Sequence, residues 1–336
     1  MKLKKSIALM LGTVLVLGLV GCASRKVDNS SDKTSSGESK SSHYPVTIQT
    51  YNYKKEPIEV TFDKAPENVV AVYQNSIETM LALGLEDKIK LAAGLDHEVK
   101  DEYKEAFSKV NYSDKFTPDK ETVIMEKPDL IFSWWSIFDE KRLGEVNYWQ
   151  DKGINTYMSV NSGATEEKTV DNEITDILNV GKIFDVEDKA KAITDEIKNG
   201  IDDVVKKVKG QEKQTTLIVE YMDGKIYTYG AKTLGGDMVS KLGAELLNPE
   251  GGDIGEEDLI KLNPDSIFVV YMDRNDKNVA QGEVDKILNN KALANLKAVK
   301  DKRINPIALG DMYCSGVRTI DGINTFAQGL YPELKK

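Results

Sequence analysis

Arginine and aromatic side chains are the residues of this sequence that most clearly suggest a binding site. The chain has only five arginines in 336 residues, and its net charge is −10. Because guanidinium groups recognise oxyanions and stack on aromatic rings, an arginine inside a cleft of an acidic protein favours an anionic ligand. Arg274 and Arg318 lie near the ends of predicted strands and are the two candidates, whereas Arg142 and Arg303 are interpreted as partners in surface salt bridges.

Histidine and cysteine are too scarce for most enzyme or metal chemistry, since the chain contains two of each. His43 ends a polar segment and is expected to be solvated, which leaves His97 as the one histidine in the part expected to fold. No GxSxG or HExxH motif is present. A surface enzyme is therefore disfavoured, a surface adhesin is the other alternative, and we expect neither a cofactor nor a directly bound metal.

Aromatic and polar residues follow several apolar runs that read as buried strands. Ligands of open α/β sheets bind beyond the carboxyl ends of the strands, and aromatic rings there supply flat apolar area with a polar handle. Two groups of such residues are predicted to face each other across a cleft. The candidate ligand-binding residues are Tyr73, Gln74, Asn75, His97, Trp134, Trp135, Ser136, Tyr221, Tyr229, Tyr271, Arg274, Tyr313 and Arg318.

A long helix is predicted between the two groups, over residues 185–210. Its apolar residues recur at spacings of three and four, which gives one stripe on a helix of about 35 Å. Asp185 is expected to cap its start, and lysines crowd its end before Gly210. The apolar stripe consists of Ala190, Ile193, Ile197, Ile201, Val204 and Val208.

The same phrase occurs once on each side of this helix. Residues 121–132 read ETVIMEKPDLIF and residues 257–268 read EDLIKLNPDSIF, each with a Glu seven positions before Pro-Asp. Each phrase predicts a short helix, a proline-marked stop and a buried strand, which is the αβ step of a doubly wound sheet. The fold class is therefore α/β, with two Rossmann-like lobes at 44–184 and 211–336, joined by the helix at 185–210.

Further elements are predicted from apolar runs and turn residues. These are a hairpin of Val46–Tyr51 with Ile58–Phe62, strands at Val69–Tyr73, Ile89–Ala93, Leu130–Trp134, Leu217–Tyr221, Lys225–Tyr229, Ile267–Tyr271 and Ile304–Ala308, and helices at Ile77–Leu83 and Asp237–Leu246.

The N-terminus has the pattern of an export signal followed by a tether. Three lysines precede an apolar run from Ile7 to Val20, which is too short and too early for a mature membrane span and stops at Gly21-Cys22. Residues 1–22 are the predicted signal, and the polar residues 23–43 are a flexible tether. Removing residues 1–22 leaves 42 basic and 55 acidic side chains, a net charge of −13, which disfavours nucleic-acid binding.

Together these features resemble a known family. The sequence LVGC resembles a bacterial lipobox, with a signal peptide cut elsewhere as the alternative. The opening VVAVYQNSIETMLALGLEDKIKLAAG, the phrase EKPDLIF, the later NPDSIFVV and the ending DMYCSGVRTIDGINTFAQGLYPE are similar to the single-helix-hinge substrate-binding lipoproteins of ABC importers for ferric siderophores, haem and vitamin B12.

The resemblance implies a lipid-anchored monomer on the extracellular face of a Gram-positive type of cell membrane, acylated at Cys22. It implies an ABC permease dimer with its ATPase as the partner, and it implies that Glu121 and Glu257 dock on permease arginines. The expected ligand is a ferric siderophore, because catecholate and citrate-type chelates are anions. Haem and cobalamin are the alternatives. The candidate axial ligands of a haem are His97, Met222, Met272, Met312, Tyr313 and Cys314.

Overall fold

A computed structural model describes residues 43–273 and 278–334. The predicted signal, nearly all of the predicted tether, the lipidation candidate Cys22 and the ligand candidate Arg274 therefore lie outside the described residues. In the part that is described, no helix has both the length and the apolar character that a membrane span needs.

The N-terminal lobe contains a hairpin and a four-stranded parallel sheet. Its strands are β1 (Val46–Tyr51), β2 (Pro57–Phe62), β3 (Val69–Val72), β4 (Ile89–Ala93), β5 (Leu130–Ser133) and β6 (Asn155–Met158), and its helices are α1 (Gln74–Ala82), α2 (Lys104–Phe107), α3 (Lys120–Met125), α4 (Val146–Gln150) and α5 (Val170–Ile183). The strand order β4-β3-β5-β6 makes β3 the switch point of the sheet. All four residues of β3 are buried, as expected for a strand covered on both faces.

The C-terminal lobe is a mixed sheet flanked by helices. Its strands are β7 (Thr215–Met222), β8 (Lys225–Thr228), β9 (Glu245–Leu246), β10 (Gly252–Ile254), β11 (Ser266–Tyr271) and β12 (Ile304–Ala308), and its helices are α7 (Leu234–Lys241), α8 (Glu256–Leu262), α9 (Val279–Leu288), α10 (Lys297–Lys300), α11 (Leu309–Met312) and α12 (Thr319–Leu330). The path β10-β8-β7-β11-β12 has a parallel centre, and β8 and β10 run antiparallel. The predicted fold class of two α/β lobes is confirmed.

The helix predicted at 237–246 is displaced in the structure. It begins at Leu234, because the Thr233 hydroxyl caps it by accepting from the Gly236 N–H at 3.2 Å. It ends at Lys241, and Gly243 follows in the left-handed region at φ 83°, which stops the helix. The last two residues of the predicted helix form β9 instead.

The repeated Pro-Asp phrase has the same structural role in both lobes. Each copy is a short helix followed by a buried strand, α3 before β5 and α8 before β11. Asp129 accepts the backbone N–H groups of Glu67 and Asn68, just before β3, at 2.8 and 2.9 Å. Asp265 accepts the N–H of Thr215, at the start of β7, at 2.8 Å. The aspartate therefore fixes the beginning of the neighbouring strand in each sheet.

Helix α6 (Glu187–Val208) connects the lobes in the chain and packs against α5 and α12. Its predicted apolar stripe faces the core: Ala190, Ile197 and Val204 are buried. Two glycines allow the close packing, since a Cβ on Gly181 would lie 2.5 Å from the Ala190 methyl and one on Gly200 would lie 2.7 Å from Ile320. At 22 residues the helix is about 33 Å long.

The predicted cap of this helix is wrong. Val186 occupies the N-cap position and no side chain caps the helix, while Asp185 lies outside it at φ 56°. The Asp185 carboxylate instead faces His43. His43 is not solvated as expected, because its side chain is 17% exposed and its Nε2 lies 2.7 Å from the Lys182 carbonyl oxygen.

Candidate functional site

The N-terminus of α1 gathers the predicted site residues of the first lobe. The side-chain amide oxygen of Gln74, Oε1, accepts the N–H groups of Asp96 and His97 at 3.0 and 3.1 Å, which fixes the loop after β4. Asn75 donates to the Ser159 hydroxyl at 2.8 Å and accepts from the Trp134 indole N–H. The ends of β3, β4, β5 and β6 are thus cross-linked at one rim, where the sheet topology predicts a ligand.

An aromatic wall crosses from one lobe to the other at this rim. Tyr73 packs 4.7 Å from Trp134 and 5.6 Å from Phe116, and Trp134 lies 5.8 Å from Tyr313 of the second lobe, measured between ring centroids. Tyr73 is buried and holds a φ of 77°. Gly94 permits this arrangement, since a Cβ there would be 2.8 Å from the Tyr73 ring. We define the aromatic wall as Tyr73, Phe116, Trp134 and Tyr313.

Helix α5 holds the segment that carries Tyr313. The buried Glu173 carboxylate accepts the N–H groups of Ser315 and Gly316 at 3.1 and 2.7 Å, and it also accepts from the Asn161 amide at 2.7 Å. Burial raises the pKa of Glu173 while these three donors oppose the shift. The position of Tyr313 in the wall therefore depends on a residue of the first lobe.

Arg142 contacts the aromatic wall, so its interpretation as a partner in a surface salt bridge is wrong. Its Nη1 donates to the Tyr73 hydroxyl at 2.6 Å, and within the described residues it forms no salt bridge. Arg303 also forms no salt bridge with any residue in 43–273 or 278–334. It donates to Gln214 and to the carbonyl oxygens of Gly329 and Leu330, and so ties β12 to the end of α12. The sequence offered one signal for Arg142, which is its position eight residues after Trp134.

Two neighbouring lysines lie beside Trp135 and Cys314, which directly follow Trp134 and Tyr313 of the aromatic wall. Lys55 lies 4.8 Å from the centroid of Trp135. Burial, followed by the positive charge of Lys55, lowers the pKa of Lys168, and the opposing effects of Cys314 and Glu166 are smaller. We call Lys55, Lys168 and Arg142 the cation set.

A small polar pocket lies beside α1, between the lobes. It has a volume of about 230 Å³ and is lined by His97, Glu98, Tyr271, Asp273, Ala308, Asp311 and Arg318. The His97 Nδ1 donates to Asp273 at 2.5 Å, and its Nε2 accepts the Gly310 N–H at 3.1 Å. Burial raises the pKa of Asp311 to about 6, against the opposing charge of Arg318. A carboxyl with such a shift in an interlobe pocket is characteristic of functional sites.

Arg318 does not have the free guanidinium that the sequence interpretation assumed. It makes a two-pronged ion pair with the fully buried Glu78, Nε to Oε2 at 2.5 Å and Nη2 to Oε1 at 2.8 Å, and Nη2 also donates to the Glu98 carbonyl at 2.8 Å. Only Nη1 faces the pocket, 3.4 Å from Asp311. The arginine primarily links the lobes, because a buried guanidinium needs a paired carboxylate.

Three further candidates, Tyr229, Trp135 and Ser136, make their contacts with residues outside the wall. Tyr229 is buried and donates to Glu220 at 2.5 Å, and its ring packs 5.2 Å from Tyr227. Trp135 turns toward the β1-β2 hairpin, stacked 4.9 Å from Tyr53, and Ser136 lies half-buried in the same turn.

Tyr221 is not brought to the cleft. Residues alternate along β7, so Tyr221 shares a face with Leu217 and Val219 and packs in the cluster beneath α8 and α9. Its hydroxyl is buried without a partner. Burial and the charges of Glu256 and Glu283 raise its pKa to about 12. The sequence analysis placed Tyr221 near the end of a strand, as observed, but did not show which face of the sheet its side chain lies on.

The docking candidates occupy equivalent positions. Glu121 and Glu257 are exposed in the first turns of α3 and α8. Other acids do the capping: Asp119 accepts the Thr122 N–H at 2.8 Å and Asp258 accepts the Gly255 N–H at 3.0 Å. Among the described residues, neither glutamate forms an ion pair, so both carboxylates are available to a partner.

Two α/β lobes whose aromatic and charged residues gather at an interlobe rim are the architecture of bilobal solute-binding proteins. The chain belongs to the periplasmic binding protein family, whose pattern matches residues 69–307. A periplasmic binding protein from Veillonella parvula is 33% identical, with a TM-score of 0.82 over 87% of this chain and 93% of that one.

Two relatives from Bacillus subtilis carry further descriptions. An uncharacterized ABC transporter substrate-binding lipoprotein, YvrC, is 26% identical over 337 positions, 98% of this chain and 97% of its own length. The petrobactin-binding protein YclQ is 28% identical over 265 positions, 75% of this chain and 78% of its own length.

Proposed function

We propose that this protein is the substrate-binding lipoprotein of an ABC importer, and that it captures a bulky anionic ferric siderophore and delivers it to a permease dimer with its ATPase. In this proposal Cys22 carries the lipid that holds the protein at the outer face of the cell membrane. The observation that carries the proposal is the combination of the aromatic wall with the cation set at the interlobe rim. The descriptions of the two Bacillus subtilis relatives as a substrate-binding lipoprotein and a petrobactin-binding protein support it.

The electrostatics of the rim favour an anion. Lys168 loses proton affinity through burial and through the charge of Lys55, so a bound anion would relieve both effects. Arg142 Nη1 donates to the hydroxyl of Tyr73, which forms one side of the wall, and a guanidinium has further N–H groups with which it can bind an oxyanion. The chain as a whole is acidic, so this positive region is local.

The size of the small pocket bears on how such a ligand is held. At about 230 Å³ the pocket is smaller than the roughly 300–1,000 Å³ of sites that enclose a drug-sized molecule. In our proposal the chelate lies against the aromatic wall and the pocket receives one uncharged polar arm of it, because three acidic residues also line the pocket. His97, Tyr271 and Arg318 Nη1 would contact that arm.

Haem is less well supported by the same geometry. Both ring nitrogens of His97 have hydrogen-bond partners. Met312 is buried in the core, and Cys314 is buried with a pKa raised well above its usual range, mainly by burial, so a thiolate ligand is disfavoured. Met222 and Met272 are exposed. Cobalamin has no specific observation in its favour and is included as an outcome of the test.

The test is a fluorescence titration of the purified chain. Ferric siderophores of the catecholate, hydroxamate and carboxylate classes, their iron-free forms, haem and cobalamin are added separately, and quenching of Trp134 and Trp135 is recorded. We expect saturable quenching by a ferric siderophore. Saturation by haem or cobalamin, with no response to any siderophore, would refute the ligand and leave the fold unaffected.

Variants then assign the response to the cation set. Arg142→Gln and Lys168→Gln should each weaken binding by about 1.5–3 kcal/mol, because each would remove a charge-assisted hydrogen bond to the ligand. The matched control is Lys54→Gln, which removes the same charge from an exposed position beside Lys55. If the control weakens binding as much as the cleft variants, the effect comes from net charge and not from the site.

A further inference from the structure

Three potential metal ligands meet where the described chain begins, away from the interlobe rim. His43, Asp185 and Glu187 each offer one ligand atom, and these atoms all lie within 4.8 Å of one another. The His43 Nδ1 lies 3.4 Å from an Asp185 oxygen and 3.3 Å from a Glu187 oxygen. The cluster joins the end of the predicted tether to the start of α6.

These separations fit a shared ion better than direct hydrogen bonds. Protein N–H···O bonds are usually about 2.7–3.2 Å long, so 3.3 and 3.4 Å are long for that purpose. A tetrahedral zinc ion with bonds of about 2.0–2.1 Å holds its ligand atoms about 3.3 Å apart. The histidine nitrogen is therefore spaced from both carboxylates as the ligands of one small cation would be.

The second nitrogen of His43 supports the same conclusion. A carbonyl oxygen can only accept, so the 2.7 Å contact with Lys182 requires the proton on Nε2. In the neutral imidazole that binds a metal ion, the lone pair is then on Nδ1, the nitrogen that lies next to the two carboxylates. Metal-binding histidines usually donate their other N–H to a carbonyl or carboxylate, which fixes the tautomer and the ring orientation.

Backbone carbonyl oxygens lie beside this cluster of His43, Asp185 and Glu187, and their partial negative charge favours a cation. The carbonyl groups of Lys182 and Ile183 end α5, and they accept from His43 and from the Tyr44 hydroxyl, the latter at 2.8 Å. An open depression of about 500 Å³ lined by residues 185–189 leaves space for a water ligand.

We propose that His43, Asp185 and Glu187 bind one divalent transition-metal ion of the zinc type, with solvent in the fourth position. Nitrogen and carboxylate donors in this number suit zinc and its neighbours better than calcium or magnesium, which prefer more oxygen ligands. The ion fastens the first described residue to the start of α6. It thereby separates the tether from the folded part at a fixed point, and this role is independent of the ligand in the cleft.

The test uses the full purified chain without a histidine tag, treated with a chelator and then dialysed. Co²⁺ is added as a spectroscopic probe, and Zn²⁺ is titrated in competition. We expect one Co²⁺ per chain with the intense visible absorption of a four-coordinate ion, displaced by one Zn²⁺. Absence of that absorption, or displacement only by a large excess of Zn²⁺, would overturn the proposal.

Conservative substitutions locate the ion. His43→Gln, Asp185→Asn and Glu187→Gln should each weaken Co²⁺ and Zn²⁺ binding by at least about tenfold. Asp188→Asn is the matched control, because Asp188 is an exposed acid in the same turn of α6 but outside the cluster. Unchanged binding in His43→Gln, or equal loss in Asp188→Asn, would show that the metal binds elsewhere.

A second measurement separates this site from the proposed function. Zn²⁺ should raise the Tm of the native chain and of Asp188→Asn, because a ligand that binds only the folded state stabilises it. It should not raise the Tm of His43→Gln or Asp185→Asn. Siderophore titration of His43→Gln should give the native affinity, so failure of the metal site and failure of the ligand assignment are distinguishable. An equal Zn²⁺ effect on all variants would refute the cluster as the site.

Discussion

Glu78 and Arg318 form a buried ion pair between the lobes, and its removal should have a large and measurable effect on stability. The Glu78 side chain is fully buried and that of Arg318 is 11% exposed. One Glu78 oxygen also accepts the Lys100 N–H at 3.0 Å. We therefore expect Glu78→Gln to leave a largely buried guanidinium with one neutral amide oxygen in place of the carboxylate, besides Asp311 and the Glu98 carbonyl.

The magnitude follows from this geometry. Removing one partner of a buried pair costs about 3–5 kcal/mol, and the remaining contacts of Arg318 place this case near the lower end, at about 3 kcal/mol. For a folded unit of roughly 290 residues the unfolding entropy is about 600 cal/mol/K, so Tm should fall by about 5 °C. Urea unfolding and calorimetry measure the two quantities.

Two comparisons make the prediction specific. Glu67→Gln removes an exposed partner of Lys88 and should cost less than about 1 kcal/mol, as surface pairs do. The double variant Glu78→Leu with Arg318→Met should be less destabilised than the sum of its single variants by at least about 2 kcal/mol, because neither charge is left unpaired. Additive effects, or a Glu78→Gln variant within 1 kcal/mol of the native protein, would refute the account of this pair.

Three other predictions concern the pocket, the docking acids and the anchor. Because the pKa of Asp311 is raised to about 6 from 3.8, the folded protein holds more protons than the unfolded one between about pH 4 and pH 6, and stability falls as pH rises through this window. Asp311→Asn should then raise the free energy of unfolding by up to about 3 kcal/mol at pH 7 and have little effect below about pH 4; an equal gain at both pH values in urea titrations would contradict this. Glu121→Ala with Glu257→Ala should abolish import in cells while ligand affinity stays native, unlike the exposed pair Glu140→Ala with Glu250→Ala, and full import by the first pair would exclude docking through these acids. Cys22→Ser should release the protein from the membrane fraction or leave it unprocessed, since stable anchoring needs more than one acyl chain; a variant that remains acylated and membrane-bound would rule out Cys22 as the anchor.

The architecture could be predicted from the sequence because it depends on short-range patterns. Apolar spacing gave the stripe of α6, uninterrupted apolar runs gave β3 and β5, and the Pro-Asp phrase marked the same step in both lobes. The role of the aspartate in this phrase could not be predicted, because Asp129 accepts backbone N–H groups about sixty positions earlier in the chain. Helix α5 has the periodicity of an amphipathic helix but was not predicted, so its buried acids were also missed.

The side-chain environment could not be predicted, because it depends on how the lobes meet. Glu78 and Arg318 are 240 residues apart, and His43 and Lys182 are 139 apart. A single sequence does not show how two sheets are aligned with each other or at what angle two lobes pack. A usable signal existed at Glu78, the one charged residue of helix α1, which lies between the apolar residues Ile77 and Met80. A charge at such a position needs a partner, and arginine is the usual one.

The environments of Arg318 and Arg142 explain why an anionic ligand is still expected although Arg318 is paired. A guanidinium near the core must be paired, so Arg318 is held by Glu78 and has one nitrogen left for the pocket. Arg142 lies farther out, needs no buried counter-ion and rests on the Tyr73 hydroxyl. Charge available to a ligand therefore comes from cations beside the aromatic wall, and of these Lys168 is partly buried, which strengthens its attraction to an anion. The expectation of an anionic ligand therefore depends on Arg142, Lys55 and Lys168 and not on Arg318, and the titrations of Arg142→Gln and Lys168→Gln against the Lys54→Gln control are the measurement that decides it.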